Sequence, residues 1–444
     1  MMHPDEPGSR FSRSSVLIGL LCCLALLSGM PAEAVCADRL VVRAGKLIDV
    51  EHGRVLTDQV IRIDGERVVA MGDFSADTGV GAPIVDWSSY TVLPGLMDMH
   101  THLVGDISSS NIAAPLFSSA ADDVLHGVAN ARRTLRAGFT TVRDVGCYRA
   151  FTDVALRNAI EGGIVEGPRM FVAGAYITVS GGGGEVTGFA ADVVVPADMR
   201  RGVANSEAEI RQRVRELIRG GATFIKVIAT GAVLAAGTTP GAAEYSEAEI
   251  RAAVDEAAQY GIFVTAHAHG AEGIKRAVRA GVRSVEHASY LDDEGIALMK
   301  KRGAWLVADI YNGDYIAETG RRDRWSEEIL RKNDETTQRQ REGFAKAVKA
   351  GVRIAFGTDS GVYPHGDNGR QFAYMVRHGL APIDAIRAAT LGSAQLLAKE
   401  QDLGSIAVGK LADLIAVEGD PLVDIDRLRQ VRGVIKSGRQ IRLD

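Results

Sequence analysis

Apolar and polar positions alternate along most of the chain in a strand-then-helix rhythm. Short apolar runs that end in polar residues are separated by stretches with helical periodicity, such as Asp122 to Ala137. Alternation of this kind predicts a parallel sheet. Eight such units predict an α/β fold, a closed (β/α)8 TIM barrel. The apolar runs are 93–102, 139–144, 169–174, 223–228, 263–267, 284–287, 305–308 and 353–359.

A glycine lies one to three residues ahead of several of these runs. A glycine at that place fits a helix C-cap ahead of the next strand. These glycines are Gly138, Gly221, Gly261, Gly281, Gly303 and Gly351.

Both ends of the barrel segment are flanked by short alternating strands without helical patterns. Near the start, Asp64-Gly65 between two β-rich runs is a hairpin signal. Neither end has enough strands for a sheet sandwich by itself. We therefore predict one composite β-sandwich domain from residues 38–92 and 402–444, and a barrel over residues 93–401.

The first 37 residues have the layout of a secretory signal peptide. Arg10 and Arg13 precede an apolar run from Val16 to Leu27, which is short for a membrane span. We expect cleavage after Ala37, a secreted or periplasmic protein and no stable membrane insertion afterwards; an uncleaved anchor is the alternative. Such cleavage leaves Cys147 alone among four cysteines, so no intramolecular disulfide is expected.

Composition excludes some classes of partner. The 444 residues carry a net charge of -5 and are 46% hydrophobic, as in ordinary soluble globular proteins. No basic run with interleaved aromatics is present in the sequence, so no nucleic-acid partner is expected.

Polar residues of one chemical kind recur at the ends of the apolar runs. His100 and His102 are spaced i, i+2, which places both imidazoles on the same side of an extended strand. Barrel active sites form where the carboxyl ends of several strands meet. Imidazoles and carboxylates at this density suit Zn²⁺ or a similar divalent ion. The candidates are His100, His102, Lys226, His267, His287 and Asp359.

Lys226 is the unusual member of this set. It lies among apolar residues, where desolvation disfavours an ammonium group. A neutral amine can react with CO2 to form an anionic carbamate that bridges two metals. The alternative is a buried lysine paired with an acid, just as His267 or His287 could be hydrogen-bonded core histidines.

These motifs together resemble the amidohydrolase superfamily over essentially the whole mature length. Its imidazolonepropionase-like branch, which includes metal-dependent dipeptidases, is the more specific resemblance; that branch also contains bacterial enzymes that split the amide of ochratoxin A and free phenylalanine. The matching segments are 94–102, Lys226, His267, His287, 357–360 and 404–414.

The resemblance implies a division of roles. His100, His102 and Asp359 would hold one metal, and His267 and His287 the other, with carboxylated Lys226 between them. A hydroxide between the metals would attack the scissile carbonyl. Asp359 would take its proton and pass it to the leaving amine. The implied substrate is a dipeptide or N-acyl amino acid with a free carboxylate, and relatives of this kind often form homo-oligomers.

Two further residues, and one pair of residues, are candidates for a role near the site. His269, i+2 from His267, is a candidate catalytic or substrate contact, or a ligand in place of His267. Tyr245 could contact substrate, or could be an aromatic at a helix entry capped by Ser246. Arg143-Asp144 favours a structural salt bridge.

The glycine run 180–184 could cradle a phosphate, but it lacks the lysine and hydroxyl residue of a P-loop. A mobile active-site loop is the preferred interpretation.

Other functions remain open. A cyclic-amide, lactone or organophosphate hydrolase would share the ligand set. An imidazolone hydrolase or deaminase generally uses one metal and does not need Lys226. A non-catalytic scaffold predicts a broken ligand set, which the sequence does not show.

Overall fold

The computed structural model describes residues 39–74, 82–105, 111, 113–190 and 192–443. The predicted signal peptide, residues 1–37, lies outside the described residues, as do Cys22, Cys23 and Cys36. Cys147 is a buried free thiol. Within the described ranges, no helix has both the length and the apolar character needed to cross a bilayer.

Strands are numbered in chain order. They are Arg39–Asp49 (β1), Arg54–Asp64 (β2), Arg67–Asp73 (β3), Ile84–Pro94 (β4), Leu96–Thr101 (β5), Phe139–Asp144 (β6), Arg169–Val172 (β7), Tyr176–Ile177 (β8), Ile225–Ile228 (β9), Val264–Ala268 (β10), Ser284–His287 (β11), Trp305–Val307 (β12), Arg353–Ile354 (β13), Leu414–Val417 (β14), Val431–Lys436 (β15) and Arg439–Ile441 (β16).

The α-helices follow most of the central strands, as the alternating pattern predicted. They are Ala114–Phe117 (α1), Ala120–Arg136 (α2), Thr152–Glu161 (α3), Glu207–Arg219 (α4), Glu247–Ala258 (α5), Ala271–Ala280 (α6), Asp293–Arg302 (α7), Asn312–Arg322 (α8), Glu327–Ala350 (α9), Arg370–Arg377 (α10), Pro382–Arg387 (α11) and Ser393–Leu396 (α12).

Strands from both ends of the chain share one seven-stranded sheet. Its order is β16-β15-β14-β4-β1-β2-β3. The predicted hairpin at Asp64-Gly65 joins β2 and β3, with Asp64 opposite Arg67. In the centre, β4 pairs with β14, so residues near the C-terminus flank the strand that leads to His100. The predicted sandwich of these strands stays a prediction.

The central strands form two parallel sheets that meet just after the third predicted strand. A six-stranded sheet has the order β13-β12-β11-β10-β9-β8, and a three-stranded sheet has the order β5-β6-β7. Within the predicted run 169–174 only β7 is regular strand, and it pairs with β6. The chain turns at Gly174, where φ is +78°, and the following strand, β8, pairs with β9.

Backbone hydrogen bonds also join the opposite edges of the two sheets. Met99 N donates to Phe356 O over 2.8 Å, and His102 N donates to Ser360 O over 2.8 Å. The eighth predicted strand, 353–359, is therefore next to the first, but only Arg353–Ile354 is regular strand. Its end departs from strand geometry because Asp359 adopts a left-handed φ of +57°.

The first predicted strand is divided at Gly95. Residues up to Pro94 belong to the terminal sheet, and residues from Leu96 belong to β5. A Cβ at position 95 would lie 2.2 Å from Thr140 Oγ1, so only glycine allows the two sheets to approach here.

The predicted glycine C-caps are confirmed by left-handed backbone at each position. The φ angles of these six glycines lie between the +68° of Gly261 and the +104° of Gly221. A large apolar core of buried Val, Ile, Leu and Ala side chains fills the space between the strands and the surrounding helices.

We expect Gly138→Ala to destabilise the protein by about 1–3 kcal/mol more than Gly261→Ala, because overpacking adds to the backbone penalty. A Cβ at position 138 would lie 2.9 Å from Val431 Cγ2 in the terminal sheet, whereas one at position 261 meets no atom within 4 Å. Denaturant unfolding of both variants measures this difference. Equal midpoints would contradict close packing between Gly138 and the terminal sheet.

Candidate metal centre

The six predicted ligands line one cavity at the carboxyl ends of the central strands. His100, Lys226, His267 and His287 project from β5, β9, β10 and β11, and all six side chains are buried. The Nε2 atoms of His100 and His102 each lie 3.3 Å from Asp359 Oδ1. The rings of His100 and His267 lie 4.7 Å and 4.6 Å from the ring of His287. The predicted convergence is thus seen in the structure.

Two groups of three residues could each hold a metal ion. Within each group the candidate ligand atoms lie within 4.8 Å of one another, and the groups are His100, His102 and Asp359, and His267, His269 and His287. A third such group, His287, Asp309 and Asp359, lies between them. His269 is placed where both of its predicted roles require it, beside His267 and His287.

One ring nitrogen of each histidine is held by the protein. Such hydrogen bonds fix the tautomer and leave the other nitrogen to a metal. His100 Nδ1 lies 3.0 Å from Glu286 Oε2, and His102 Nδ1 lies 2.8 Å from Gly146 O. His269 Nδ1 lies 2.7 Å from Ser289 Oγ, and His287 Nδ1 lies 2.9 Å from Asp309 Oδ1. His267 differs, because its Nε2 lies 3.2 Å from Gly231 O.

Burial keeps several of these groups in the protonation state that binds metal. It lowers the pKa of His269 to about 3 and the pKa of His267 well below its ordinary value, so both are neutral imidazoles. Burial alone would raise the pKa of Asp359, but the imidazoles of His100 and His102 outweigh it and hold that pKa well below its usual range. Asp359 is therefore a carboxylate.

Lys226 is buried without a partner in the described part of the chain. Burial lowers the pKa of its ammonium group to about 8. No described residue makes a hydrogen bond to its Nζ or an ion pair with it within 4.0 Å, although the charges of Glu286, Asp359 and Asp309 act on it. A buried amine that titrates near neutrality fits the predicted carbamate.

Two carboxylates that sequence reasoning missed support the ligands. Glu286 lies between His100 and Arg143, and Asp309 contacts His287. Asn312 donates to Asp309 Oδ2 and to Asp359 Oδ2 over 3.2 Å and 3.0 Å. Asp309 follows β12 by two residues, so the strand-end argument applied to the seventh run would have found it. Glu286 precedes His287 on β11, and strand alternation gave no signal that its side chain also reaches His100.

Arg143 does form a structural salt bridge, although its partner is not Asp144. Its Nη2 lies 2.7 Å from Glu286, its Nη1 donates to Ser284 Oγ, and its Nε donates to Met99 O. Asp144 instead accepts a hydrogen bond from Leu103 N. Both residues of the ion pair are fully buried, just beneath His100.

The prediction that Tyr245 contacts substrate is wrong for this structure. Tyr245 is fully buried at the entry of α5, and its hydroxyl donates to Ala204 O over 2.7 Å. Ser246 and Glu249 form the predicted capping box there. Two other tyrosines, Tyr148 and Tyr176, line the cavity with rings 5.8 Å apart.

The glycine run offers no phosphate cradle. The amides of residues 180–185 already donate to protein acceptors, including both oxygens of Glu244, which lie 3.0 Å from Gly183 N. Gly183 and Gly184 instead form a wall of the cavity. Burial raises the pKa of Glu244 to about 7.

The backbone is strained at two of the ligands. His287 and Asp359 have φ angles of +65° and +57°, and Ala288, after His287, has +53°. Non-glycine residues rarely adopt this conformation, and such strain collects at functional sites.

The donor set fits divalent metal ions. Imidazoles, an ionised carboxylate and a buried amine converge in a cavity of about 1240 Å³, including its open mouth. Hydrogen bonds to one nitrogen of each ring orient the imidazoles, as in protein metal sites. A parallel α/β scaffold that carries such ligands at its strand ends is the architecture of a metal-dependent hydrolase.

The chain belongs to the amidohydrolase family, whose sequence model matches residues 91–441. Members of this family are generally metal-dependent hydrolases.

Three similar proteins illustrate the range of the family. Ochratoxinase from Aspergillus niger is 32% identical over 366 residues, which cover 77% of this chain and 73% of that protein. The crystal structure of a Xaa-Pro dipeptidase with bound methionine superposes with a TM-score of 0.85 at 39% identity, covering 91% of this chain and 99% of the other. Imidazolonepropionase from Micrococcus luteus is 24% identical over 413 residues, covering 87% and 94% of the two chains.

We expect Arg143→Met to destabilise the protein by about 3–5 kcal/mol, because it leaves the Glu286 carboxylate buried without its partner. The matched control is Arg331→Met, which removes an exposed pair with Glu335 and should have a much smaller effect. Chemical denaturation compares the two variants. Similar stabilities would contradict the importance of the buried pair.

Proposed function

We propose that the protein hydrolyses the amide bond of N-acyl amino acids or dipeptides with the help of two divalent metal ions, Zn²⁺ being the ion expected. The observation that carries this proposal is the convergence of all six ligand-type residues on one buried cavity. Similarity to an ochratoxinase and to a Xaa-Pro dipeptidase supports amide substrates. Ochratoxin A, an N-acyl phenylalanine, is one candidate substrate.

In this proposal the chain divides the ligands between two positions. His100, His102 and Asp359 hold one ion, and His267 and His287 hold the other. Lys226, as the CO2-derived carbamate, would supply the anionic ligand that both ions share. The ions, when bound, would polarise the scissile carbonyl and lower the pKa of a coordinated water.

Asp359 is the residue to which we assign the proton transfer. Its Oδ2 accepts a hydrogen bond from Asn312 Nδ2, and its Oδ1 faces the two imidazoles. The depressed pKa keeps Asp359 a carboxylate, the form that can accept a proton. We assign it the transfer of a proton to the leaving amine.

Neutral donors would meet the substrate carboxylate. Lys226 is the only lysine, and no arginine is found, among the described residues that line the cavity. The Tyr148 hydroxyl makes no hydrogen bond within the described chain, and burial followed by the charge of Asp359 raises the pKa of Tyr148. We assign Tyr148 the substrate contact predicted for Tyr245, together with His269.

The remaining expectations complete the proposal. The hydrogen bonds from Met99 and His102 to residues 356 and 360, and that from Thr223 N to Val172 O over 2.8 Å, support one closed barrel over residues 93–401. The terminal domain of residues 38–92 and 402–444 would flank it. The apolar run after Arg13 supports export with removal of residues 1–37. Homo-oligomer formation stays a prediction from the resemblance.

A panel of N-acyl amino acids and dipeptides, with ochratoxin A among them, tests the reaction on metal-loaded protein. Hydrolysis of lactones or phosphotriesters with no amide cleavage would favour the alternative hydrolase functions instead.

We expect Lys226→Ala to hold about one metal ion per chain, compared with two in the wild type, because the bridging group is lost. Elemental analysis after dialysis measures this ratio independently of activity. Lys275→Ala, which removes a lysine paired with Asp292 and Glu294 at the surface, is the control and should keep two ions. Two tightly held ions in Lys226→Ala would rule out the bridge.

We expect Tyr148→Phe to lower kcat/KM for an N-acyl amino acid by about 10- to 100-fold, the range for one hydrogen bond to a charged group. The amidated substrate analogue should lose less, because its partner group is neutral. Tyr260→Phe, at a half-exposed surface position, serves as control. An equal loss for both substrates would argue against a carboxylate contact.

A further inference from the structure

The cavity has two chemically different ends. One end holds the ligand residues, and aliphatic side chains from separate segments line a wall that begins at Val362, whose N donates to Asp359 O over 3.1 Å, and continues to Ile329. These are Val186, Val233, Leu234, Ile316, Ile329 and Val362, called here the apolar bay.

The apolar bay is a built part of the fold. Ile316, Ile329 and Val362 are almost completely buried and pack with Trp325, and Leu234 is packed against this cluster. The segment that carries Leu234 is held to α9 because Lys332 Nζ donates to Ala235 O over 2.8 Å. Glu328 also accepts a hydrogen bond from Gly237 N. Side chains fixed in this way offer a defined surface to a ligand.

Helix α9 runs from one end of the cavity to the other. Ile329, Asn333, Thr336, Thr337 and Gln340 all line the cavity, at the spacing of one helix face. Gln340 donates to Asp309 and to His287 O, so it marks the metal end. Ile329 marks the apolar bay, about 16 Å away along the helix axis at 1.5 Å per residue.

The polar side chains between these ends are satisfied by the protein. Asn333 Nδ2 donates to Gly313 O over 2.9 Å, Thr336 Oγ1 to Lys332 O over 2.8 Å and Thr337 Oγ1 to Asn333 O over 2.7 Å. Glu185, a further lining carboxylate, is paired with Arg200. In the described lining, no acid away from the metal end is left to receive the α-ammonium group of a dipeptide.

We propose that the apolar bay binds an extended, uncharged apolar acyl group, so that N-acyl amino acids with long acyl groups are preferred over dipeptides. This inference rests on the proposed amide hydrolysis and names its substrate class. The acyl group would run along α9 from the scissile carbonyl to Leu234 and Ile329. An aliphatic amino-acid side chain is too short to cover that span.

A series of N-acyl phenylalanines from acetyl to dodecanoyl, used below their micelle concentrations, tests the proposal on metal-loaded protein. We expect kcat/KM to rise about fourfold for each methylene group that enters the apolar bay, and then to level off. Alanyl-phenylalanine should be a poorer substrate than the N-acyl compounds that reach the bay. A flat chain-length profile, or a dipeptide preferred over all of them, would overturn the proposal.

Leu234→Arg places a charge in the apolar bay and should remove most of the chain-length dependence. Leu234→Ala, a milder change at a half-buried position, should reduce the slope of kcat/KM against chain length. It keeps the proposal testable if the arginine variant does not fold. Leu125→Arg introduces the same charge on the exposed face of α2 and should keep the wild-type profile. An unchanged slope in both Leu234 variants would also overturn the proposal.

Calorimetric titration separates this inference from the proposed function. Dodecanoyl-phenylalanine should bind more tightly than acetyl-phenylalanine to wild-type protein, and Leu234→Arg should abolish the difference. Binding of this kind without hydrolysis would reject the proposed reaction but keep the apolar bay. Hydrolysis without chain-length dependence in binding or turnover would do the reverse.

Discussion

The buried ion pair between Arg143 and Glu286 is the interaction on which the metal centre depends. Removing two charges from water is unfavourable unless every donor and acceptor finds a partner. Arg143 meets this condition by contacting Met99 O, Ser284 Oγ and Glu286 at once. Since Arg143 itself lies on β6, its contacts join three strands, β5, β6 and β11, immediately below the ligands.

The same pair determines the chemistry of His100. Glu286 has one oxygen on Arg143 and the other on His100 Nδ1, so the imidazole is oriented by a carboxylate that is itself held in place. His287 has an equivalent support in Asp309, which is fixed in turn by Gln340 and Asn312. The ligands are thus preorganised by partners that are fully engaged within the fold.

Sequence periodicity was sufficient to find the central parallel strands and to bring the six candidate ligands to one cavity, because strand ends in a parallel sheet must meet at one edge. It was insufficient where tertiary contacts override local pattern. The run 353–359 reads as one apolar strand, yet Asp359 turns left-handed and its backbone N donates to His100 O. Tyr245 looked like a site residue only because the long segment after β9 gives no signal of which residues return to the cavity.

Charge and apolarity are segregated along the cavity for a physical reason. Aliphatic walls exclude water and lower the local dielectric, which strengthens electrostatic interactions at the ligand end. The hydrogen-bonding groups along α9 are already paired, so they do not compete for a substrate.

The pairing of β4 with β14 has a consequence for biosynthesis. Thr91 lies only a few residues before the strand that carries His100. Its Oγ1 donates to the backbone oxygen of Gly419, a residue 328 positions further along the chain. At 5–20 residues per second, roughly 15–65 s of translation separate these partners. β4, which leads into the strand that carries His100, must therefore wait, incompletely flanked, until nearly the whole polypeptide has been made. This places the protein among folds governed by long-range contacts.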